Sequence, residues 1–392
     1  MAMDRLHHGL LRAGEDSHVL VQKPRGSTER VGQLPEIRRL GLEAKLRRAT
    51  RRAGLNDIHR LGSFYLTRQE LVRDADVLVF HGTHSGAFSY LALPAVSHDK
   101  PTAFVLHDMW AVTGHCGFSF DCERWRSGCG ECPYLGENPP VRRDATRLEW
   151  KLKRRAFARA KITFVSKSHW MTEIIQQTSL GDHPLVEIPY GLDTEVYRPA
   201  PRAVVREALG IPHDAFVLLT VAQNLVDRRK GGDLLVEALH LLPDHIRANT
   251  HLLALGNQGE SLEQATGLPV VALGYVTSDR LKAIAYSAAD LMLLTSRADN
   301  SPLVMMESHA CGTPVIAFRV GGIPERVHPD ETGDLAEAED SQGFAEAIVR
   351  ALADTDRLSC MRQRCRDVAV REYGIQLEVE RHVDLFEDLR AR

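Results

Sequence analysis

The sequence predicts an α/β protein built from two doubly wound domains. Short, continuous apolar segments alternate with longer segments of helical periodicity, the pattern of a parallel sheet covered by helices on both faces. The chain has 392 residues, too many for one ordinary core, and the alternation restarts after Pro199-Ala200-Pro201. We therefore expect two domains facing each other across a cleft. The predicted strands are 75–80, 102–106, 162–165, 216–221, 250–255, 270–273, 291–294 and 314–316.

The predicted domain limits are 1–198, 199–372 and, for a final helix that crosses back to the N-terminal domain, 373–392. Leu6, Leu10 and Leu11 place Met1 inside a helix, whereas a doubly wound domain usually opens with a strand and a glycine-rich turn. We therefore expect the first N-terminal strand to be lacking here, and the working enzyme to be longer by about 15 to 20 residues. If no longer form exists, another segment must occupy the position of the first strand, and segment 18–21 is our candidate for it.

Composition indicates a folded, cytoplasmic chain. Apolar residues make up 44% and charged residues 26%, which excludes wholesale disorder. We find no apolar run near the roughly 18 residues of a membrane span and no secretory leader. In a reducing compartment the seven cysteines are expected to be thiols or metal ligands.

Four of the cysteines are clustered with the spacing C-x5-C-x6-C-x2-C. They are Cys116, Cys122, Cys129 and Cys132. Four thiolates can bind a structural zinc ion tetrahedrally, and the last pair has the tight spacing of a metal knuckle. Clustered cytoplasmic cysteines can equally remain free thiols, and the spacing leaves both interpretations open.

Basic residues are concentrated in two segments of the N-terminal half, 38–60 and 151–161. In the first, arginines at 47, 48, 51 and 52 accompany Leu40 and Leu46, which predicts a basic amphipathic helix, and segment 151–161 predicts a second one. Such a helix can present a solvated face or lie on an anionic membrane surface. Nucleic acid is not an expected partner, because no aromatic residues are interleaved with the charge.

The segment from Ser296 to Gly312 has the richest chemistry. It follows an apolar strand and predicts a helix start, with Ser301 as the cap and Pro302 at the first helical position. The amides of Leu303 and Val304 would then face an anion. Asp299 and Glu307, eight residues apart, can hold a hydroxyl-rich ligand around a phosphate, although an ordinary capped helix with two solvated acids has the same pattern.

Two further candidates follow predicted strands. Lys230 lies in the basic loop 227–233, between a strand and an amphipathic helix, where doubly wound sheets bind ligands. His107 ends strand 102–106, where it can bond a sugar hydroxyl or move a proton near neutral pH. A solvated basic loop and a structural histidine are the respective alternatives.

Four segments together resemble the family 4 retaining glycosyltransferases. They are IPYGLDTEVYRP (188–199), DRRKGGDLLVEAL (227–239), LGYV (273–276) and SPLVMMESHACGTPVIAFRVGGIPE (301–325). Their order and spacing match from about residue 4 to 390. The resemblance implies the GT-B fold of two Rossmann-like domains. Segment 105–135 further resembles a bacterial subgroup that builds exopolysaccharide and other envelope glycans.

The resemblance implies transfer of a hexose-type sugar from a UDP- or GDP-sugar to a glycan or lipid-linked acceptor, with no metal required for catalysis. Glu307 falls on the position that binds the donor ribose, and Asp299 on an acid that touches the transferred sugar, where the family usually has glutamate. Lys230 falls on the lysine that neutralises the diphosphate, to which Leu303 and Val304 supply amides.

The resemblance also assigns backbone contacts with the nucleotide and a histidine in the cleft. Gly256, Tyr275 and Val276 fall where the family brings backbone against the nucleotide, and His107 lies beside the transferred sugar. Asn224 replaces the family's arginine, which puts the second diphosphate contact in doubt unless Arg228 or Arg229 supplies it. Two rivals stay open: a nucleotide-sugar epimerase of the same fold, and a degenerate transferase that only binds its donor.

Overall fold

A computed structural model describes residues 2–24, 30–35, 41–84, 86–225 and 227–392. The chain divides into two compact units, Met1–Pro189 with Val379–Arg392 (unit 1) and Tyr190–Glu378 (unit 2). Each unit contains a parallel sheet, which confirms the predicted α/β class. Among the described residues, no helix has both the length and the apolar composition needed to cross a membrane. Leu40, part of the predicted basic helix, lies outside the described residues.

Unit 1 is built around two parallel sheets. Its elements are α1 (Ala2–Arg12), β1 (Val19–Val21), β2 (Val31–Gln33), α2 (Leu42–Arg52), α3 (Glu70–Asp74), β3 (Leu78–His81), α4 (Leu93–Val96), β4 (Thr102–Leu106), α5 (Thr146–Phe157), β5 (Thr163–Ser166), α6 (His169–Gln176) and β6 (Leu185–Glu187). Strands β3 to β6 form one sheet in sequence order, and every residue of β4 and β5 is buried.

Among the described residues of unit 1, β1 pairs with β2 alone, in a two-stranded parallel sheet separate from the other four strands. Our candidate segment 18–21 therefore does form a strand, but its placement in the main sheet is wrong. The reason lies in the pairing: each residue of β1 has its register partner on β2, from Val19 opposite Val31 to Val21 opposite Gln33.

Unit 2 contains one six-stranded parallel sheet. Its elements are α7 (Arg202–Ala208), β7 (Phe216–Asn224), α8 (Gly232–His240), α9 (Asp244–Arg247), β8 (Thr250–Asn257), α10 (Ser261–Thr266), β9 (Val270–Gly274), α11 (Asp279–Ala288), β10 (Leu291–Leu294), α12 (Leu303–Ala310), β11 (Val315–Phe318), β12 (Gly333–Ala336), α13 (Ser341–Ala353), α14 (Thr355–Glu372) and the first residues of α15 (Ile375–Ala391).

The strand order β12-β11-β10-β7-β8-β9 creates a topological switch point. From β7 the chain adds β8 and β9 on one side and then returns to place β10 on the other. The connections that leave the carboxyl ends of β7 and β10 therefore run in opposite directions. In open parallel sheets such a point is where ligands bind.

The final helix α15 continues from unit 2 into unit 1. Its residues from Val379 onward group with unit 1, where Leu385 and Leu389 pack against Val105, Val165 and Ile188. These contacts cover one face of the four-stranded sheet with the apolar stripe of the helix. The predicted helix 375–389 thus extends by two residues, to Ala391.

Candidate functional site

Lys230 and Asp299 meet at the switch point of unit 2. Lys230 ends a short 3-10 turn after β7, and Asp299 lies in the loop after β10. The Lys230 ammonium donates to Asp299 Oδ2 at 2.6 Å, and the Arg229 guanidinium donates to the same oxygen at 3.1 Å. Two residues predicted separately, from two distant segments, are therefore in direct contact.

The local backbone explains how Lys230 reaches this position. The Asp227 carboxylate accepts from the Arg229 amide at 2.9 Å and caps the turn, while the Thr295 hydroxyl donates to the Lys230 carbonyl at 3.1 Å. Gly231 follows with φ of 65°, and a Cβ there would lie 1.9 Å from the Thr295 carbonyl oxygen. Only glycine allows the loop to press this closely on the exit of β10.

Two cations keep the Asp299 carboxylate ionised. Burial alone would raise the pKa of Asp299, but the charges of Lys230 and Arg229 outweigh it and hold that pKa below its usual value. Burial lowers the pKa of Lys230, against the opposing effect of Asp299. The cluster of Lys230, Arg229 and Asp299 consequently carries two cations against one carboxylate, and a second carboxylate, that of Asp227, lies nearby.

A polar cavity of about 430 Å³ lies beside this cluster. Its lining residues are Gln223, Asn224, Asp227, Arg229, Lys230, Asn257 and Gln258. Asn224, which replaces the family's arginine, therefore borders the same space as Arg229, whereas the Arg228 side chain is exposed and is not part of the lining. The lining supplies two cations and several side-chain amides, which can bind an anionic ligand, and one carboxylate, that of Asp227.

Gly256 lies at the end of β8, next to this cavity. Its φ is 144°, and a Cβ on it would lie 1.8 Å from the Ala222 carbonyl oxygen of β7. The close approach of the two strands therefore requires glycine here. Tyr275 and Val276 directly follow β9, with Tyr275 exposed and Val276 half-buried. All three predicted nucleotide contacts thus lie at the carboxyl ends of β8 and β9.

Glu307 lies on α12 with its side chain almost fully buried. Its Oε2 accepts a hydrogen bond from the Tyr286 hydroxyl of α11 at 2.9 Å. Burial, and next the charge of Glu307, raise the pKa of Tyr286, so the phenol stays protonated as the donor. Sequence reasoning missed Tyr286, which looks like any aromatic residue on the buried face of a helix.

The start of α12 differs from the prediction. Pro302 is the N-cap and Leu303 the first helical residue, so Ser301 as the capping residue and Pro302 as the first helical position are both wrong. The Ser301 hydroxyl is buried and has no hydrogen-bond partner within the described residues. Leu303 and Val304 lie in the first turn, where helix amides have no carbonyl of their own helix to bond. None of the residues on this helix that are predicted to bind the donor lines the 430 Å³ cavity.

In unit 1, two histidines lie close together at the carboxyl ends of the adjacent strands β3 and β4. His107 directly follows β4, and its Nε2 lies 3.1 Å from Nδ1 of His81, the last residue of β3. Burial, followed by the charge of Lys167, lowers the pKa of His107 to about 4. His107 is therefore neutral at neutral pH, with hydrogen-bonding capacity for a hydroxyl.

A second pair stands next to the first. His84 Nε2 lies 3.0 Å from Asp108 Oδ2, and Asp108 Oδ1 accepts from the Trp110 amide. Burial alone would lower the pKa of His84, but the hydrogen bond and charge of Asp108 outweigh it and raise that pKa. Sequence reasoning missed His81, His84 and Asp108, although His81 ends its strand as His107 does, and the carboxyl ends of adjacent parallel strands are neighbours.

The four clustered cysteines lie in the segment between β4 and α5. All are free thiols: Cys116 is buried and the other three are half-buried. Over the part of the chain that is described, no three His, Cys, Asp or Glu side chains are arranged as a metal centre. The zinc site at these four cysteines therefore stays a prediction.

The two basic segments differ in how they present their charge. On α2 the side chains of Lys45, Arg47, Arg48, Arg51 and Arg52 are all exposed. In segment 151–161 Lys153 is fully buried, and its ammonium donates to the Trp110 carbonyl at 2.5 Å. The prediction of a basic face there is wrong for Lys153, whose ammonium lies over the Trp110 ring, 4.2 Å from its centroid.

Known proteins resemble this chain over most of its length. The family model described as Glycosyltransferase Family 4 matches residues 2–196, and the one described as Glycosyl transferases group 1 matches residues 215–354. D-inositol 3-phosphate glycosyltransferase 1 of Catenulispora acidiphila is 35% identical over 186 residues, 44% of each chain. WcaC of Escherichia coli, named for colanic acid biosynthesis, is 31% identical over 270 residues, 65% of this chain and 63% of WcaC. The matches thus span less than two thirds of these relatives.

Solved structures share the fold. Sucrose-phosphate synthase of Thermosynechococcus elongatus superposes with a TM-score of 0.72 at 21% identity, over 99% of this chain and 92% of that one. HepE of Anabaena, solved with UDP-glucose, superposes with a TM-score of 0.62 at 18% identity, over 91% and 86%. Both confirm the predicted arrangement of two parallel-sheet α/β domains, that of GT-B glycosyltransferases. From the two family models and this fold, we conclude that the chain belongs to the group 1, family 4 glycosyltransferases.

Proposed function

We propose that this protein transfers a hexose-type sugar from a nucleotide-diphosphate sugar to a glycan or lipid-linked acceptor, with retention of anomeric configuration. The observation that carries the proposal is the cluster of Lys230, Arg229 and Asp299 beside a polar cavity of about 430 Å³ at the switch point of unit 2. Retention and the hexose class rest on the family resemblance.

The cluster suits the departure of a diphosphate. When the bond to the sugar breaks, negative charge develops on the leaving diphosphate, and fixed cations stabilise that charge more than they stabilise the bound donor. Lys230 is held by Asp299 in the structure described here, so diphosphate oxygens would compete with this carboxylate for the ammonium. Because Lys230 and Arg229 supply the positive charge, we propose that transfer needs no catalytic metal.

Further residues of unit 2 suit the rest of the donor. The Glu307 carboxylate, oriented by Tyr286, is assigned to the ribose hydroxyls, and the first-turn amides of Leu303 and Val304 to the diphosphate. The buried Ser301 hydroxyl, without a partner in the described residues, is a further candidate contact. Of the two bases, uracil is the better supported, because a protein of this fold has been solved with UDP-glucose.

The acceptor is expected to be a glycan or a lipid-linked sugar. WcaC, named for colanic acid biosynthesis, is among the relatives of this chain, and His107 offers a neutral hydrogen-bonding group at a strand end of unit 1. The five exposed cations of α2 would favour an anionic membrane, at about 1 kcal/mol per basic residue near the surface. We therefore propose peripheral membrane contact through this helix.

Calorimetry and product analysis test the function. UDP, GDP and their glucose, galactose and mannose conjugates are titrated into the protein, and the tightest donor is then incubated with polyprenyl-linked acceptors in buffer containing EDTA. We expect nucleoside diphosphate release coupled to an α-linked product from an α-linked donor. An epimerised donor without acceptor consumption would indicate the rival epimerase, and binding without transfer to any acceptor the degenerate transferase. Inversion at the anomeric carbon would contradict retention.

Vesicle sedimentation tests the membrane contact. With phosphatidylglycerol vesicles we expect the wild type to sediment, and replacement of Arg47, Arg48, Arg51 and Arg52 by alanine to abolish it. The matched control is replacement of the exposed Arg154 and Arg155 of α5, which should leave sedimentation unchanged. Equal sedimentation of both variants would contradict the role of α2.

A further inference from the structure

The irregular segment 107–145 encloses a small cavity lined by four cysteines. Cys116, Cys122, Cys129 and Cys132 all border this cavity, whose volume is about 20 Å³. One water molecule needs a cavity in which its centre has roughly 10 to 15 Å³ of free space. The space therefore admits a single atom or ion, and it is too small for an iron–sulfur cluster or an organic ligand.

The backbone around the cysteines already has features of a metal knuckle. The Gly114 amide donates to Cys129 Sγ at 3.1 Å, the kind of hydrogen bond that stabilises a metal-bound thiolate. Cys129 and Glu131 have positive φ values of 51° and 48°, a conformation that L-residues rarely adopt outside tight turns. These turns fold the Cys129–Cys132 pair back onto the cavity.

A histidine stands beside the fourth cysteine. His115 Nδ1 lies 2.9 Å from the Pro139 carbonyl, to which it must donate, so the neutral ring presents Nε2 as an acceptor toward Cys132 Sγ at 3.4 Å. Two ligands of a tetrahedral zinc ion, one sulfur and one nitrogen, would be separated by about 3.6 Å. The two groups are thus already near ligand spacing, which makes His115 the alternative to one of the thiolates.

We propose that this cavity binds one structural zinc ion through the thiolates of Cys116, Cys122, Cys129 and Cys132. Four sulfur donors around a space for one ion are the ligand set that selects zinc, and a structural site is closed by four protein ligands. Binding displaces the thiol protons to solvent and turns the side chains inward, because no three of them are yet arranged as a metal centre within the described residues.

The position of the site indicates what the zinc does. The segment it closes begins with His107 and Asp108, and it is held to itself by bonds such as that from the Met109 amide to the Gly117 carbonyl at 2.7 Å. Apart from two 3-10 turns, this segment has no helix or strand of its own. Long irregular segments of this kind are uncommon without such a constraint. The zinc would therefore fix the loop that carries the strand-end histidine.

Metal analysis of the full chain tests the proposal. Protein purified without chelator is expected to contain about one zinc per chain, released by a mercurial thiol reagent and detected with a colorimetric zinc indicator. Cys129→Ser and Cys132→Ser should reduce the content below a tenth, whereas Cys360→Ser, an exposed thiol in unit 2, should retain it. Zinc-free protein whose four clustered thiols are all free after denaturation, or a disulfide among the four cysteines, would overturn the proposal.

Two measurements separate the ligand sets and guard against misfolding. His115→Ala should keep its zinc; if it loses the metal while one of the four cysteine variants keeps it, the four-thiolate assignment is wrong. If the cysteine variants fail to fold, cobalt-substituted wild-type protein decides, because four thiolates give tetrahedral d–d and sulfur charge-transfer absorption. Wild-type protein without those bands would reject the site. None of these measurements depends on transfer activity, so the zinc site and the proposed function fail separately.

Discussion

The strand ends of the two units share one architecture and differ in charge. At the switch point of unit 2, Asp299 is shared by two cations, and a polar cavity lies beside them. At the ends of β3 and β4 in unit 1, His81 and His107 are both held neutral by burial, and the nearest ion pair is His84 with Asp108. The comparison teaches that the parallel sheet fixes where side chains converge, while residue type decides whether an anion or a hydroxyl is bound.

Loss of the central cation of unit 2 should have the largest effect. Lys230→Ala removes a charge-assisted contact of about 1.5 to 3 kcal/mol, so we expect UDP or GDP binding to weaken by roughly 10- to 150-fold. Calorimetry with the nucleoside diphosphate that wild-type protein binds measures this directly. The matched control is Arg228→Ala, an exposed cation two residues away that is not part of the cavity lining. Equal loss in both variants would mean that only overall charge matters.

Replacement of the buried Glu307 carboxylate in unit 2 should have the second largest effect on nucleoside diphosphate binding. Glu307→Gln is expected to weaken nucleoside diphosphate binding by about tenfold, because an amide replaces the charged acceptor of the ribose hydroxyls. Tyr286→Phe removes only the 2.9 Å hydrogen bond that orients Glu307, worth about 1 kcal/mol, and should cost about fivefold. If Tyr286→Phe weakened binding more than Glu307→Gln, the carboxylate would not be the contacting group.

Much of unit 2 could be predicted from the sequence because its signals are local. The continuous apolar strands 250–255 and 291–294 are observed as Thr250–Asn257 and Leu291–Leu294, and Lys230 and Asp299 lie in the loops that follow two neighbouring strands. Strand Gly333–Ala336 was missed, because its sequence GDLA has no apolar run or alternation. This segment is a strand because it pairs with β11, and that pairing cannot be predicted from its local sequence.

Contacts between segments that are distant in sequence could not be predicted from the sequence alone. The bond between Tyr286 and Glu307 and the pairing of β1 with β2 depend on packing that no local pattern encodes. The buried Lys153 is the clearest case. Lys151, Arg154 and Arg155 nearby in sequence are exposed, whereas the Lys153 ammonium is buried against the Trp110 carbonyl and ring, contacts that no local pattern encodes.

A smaller effect is expected at the strand ends of unit 1. His107→Asn keeps a hydrogen-bonding group but removes the ring that contacts His81, so we expect turnover to fall by about fivefold, from the roughly 1 kcal/mol of one neutral hydrogen bond. Nucleoside diphosphate binding should not change. The control His98→Asn alters an exposed histidine and should leave both quantities at wild-type values. Weaker nucleotide binding in His107→Asn would contradict the separation of roles between the units.

Folding stability, in contrast to activity, is expected to depend on a buried carboxylate of unit 1, Glu149. Glu149 on α5 is almost fully buried, close to Tyr90 and Lys153. Burial raises the pKa of Glu149 to about 7, although the charge of Lys153 opposes the shift. Asp299 of unit 2 is equally enclosed, but its two cations reverse the direction of its shift.

This contrast predicts how pH should affect folding. Because the pKa of Glu149 is raised in the folded state, its contribution to the free energy of unfolding is fully present below its unfolded pKa of about 4.5 and is lost as pH rises through about 7. Glu149→Gln removes this dependence. Between pH 5 and pH 8, wild type should therefore lose on the order of 1 to 3 kcal/mol relative to the variant, visible in thermal melts at each pH. Glu123→Gln, which changes an exposed carboxylate of the same unit, should track wild type across the range. The prediction is contradicted if the melting temperatures of wild type and Glu149→Gln change in parallel with pH. Glu149 would then be ionised in the folded protein, and Lys153 would compensate its burial as fully as Lys230 compensates that of Asp299.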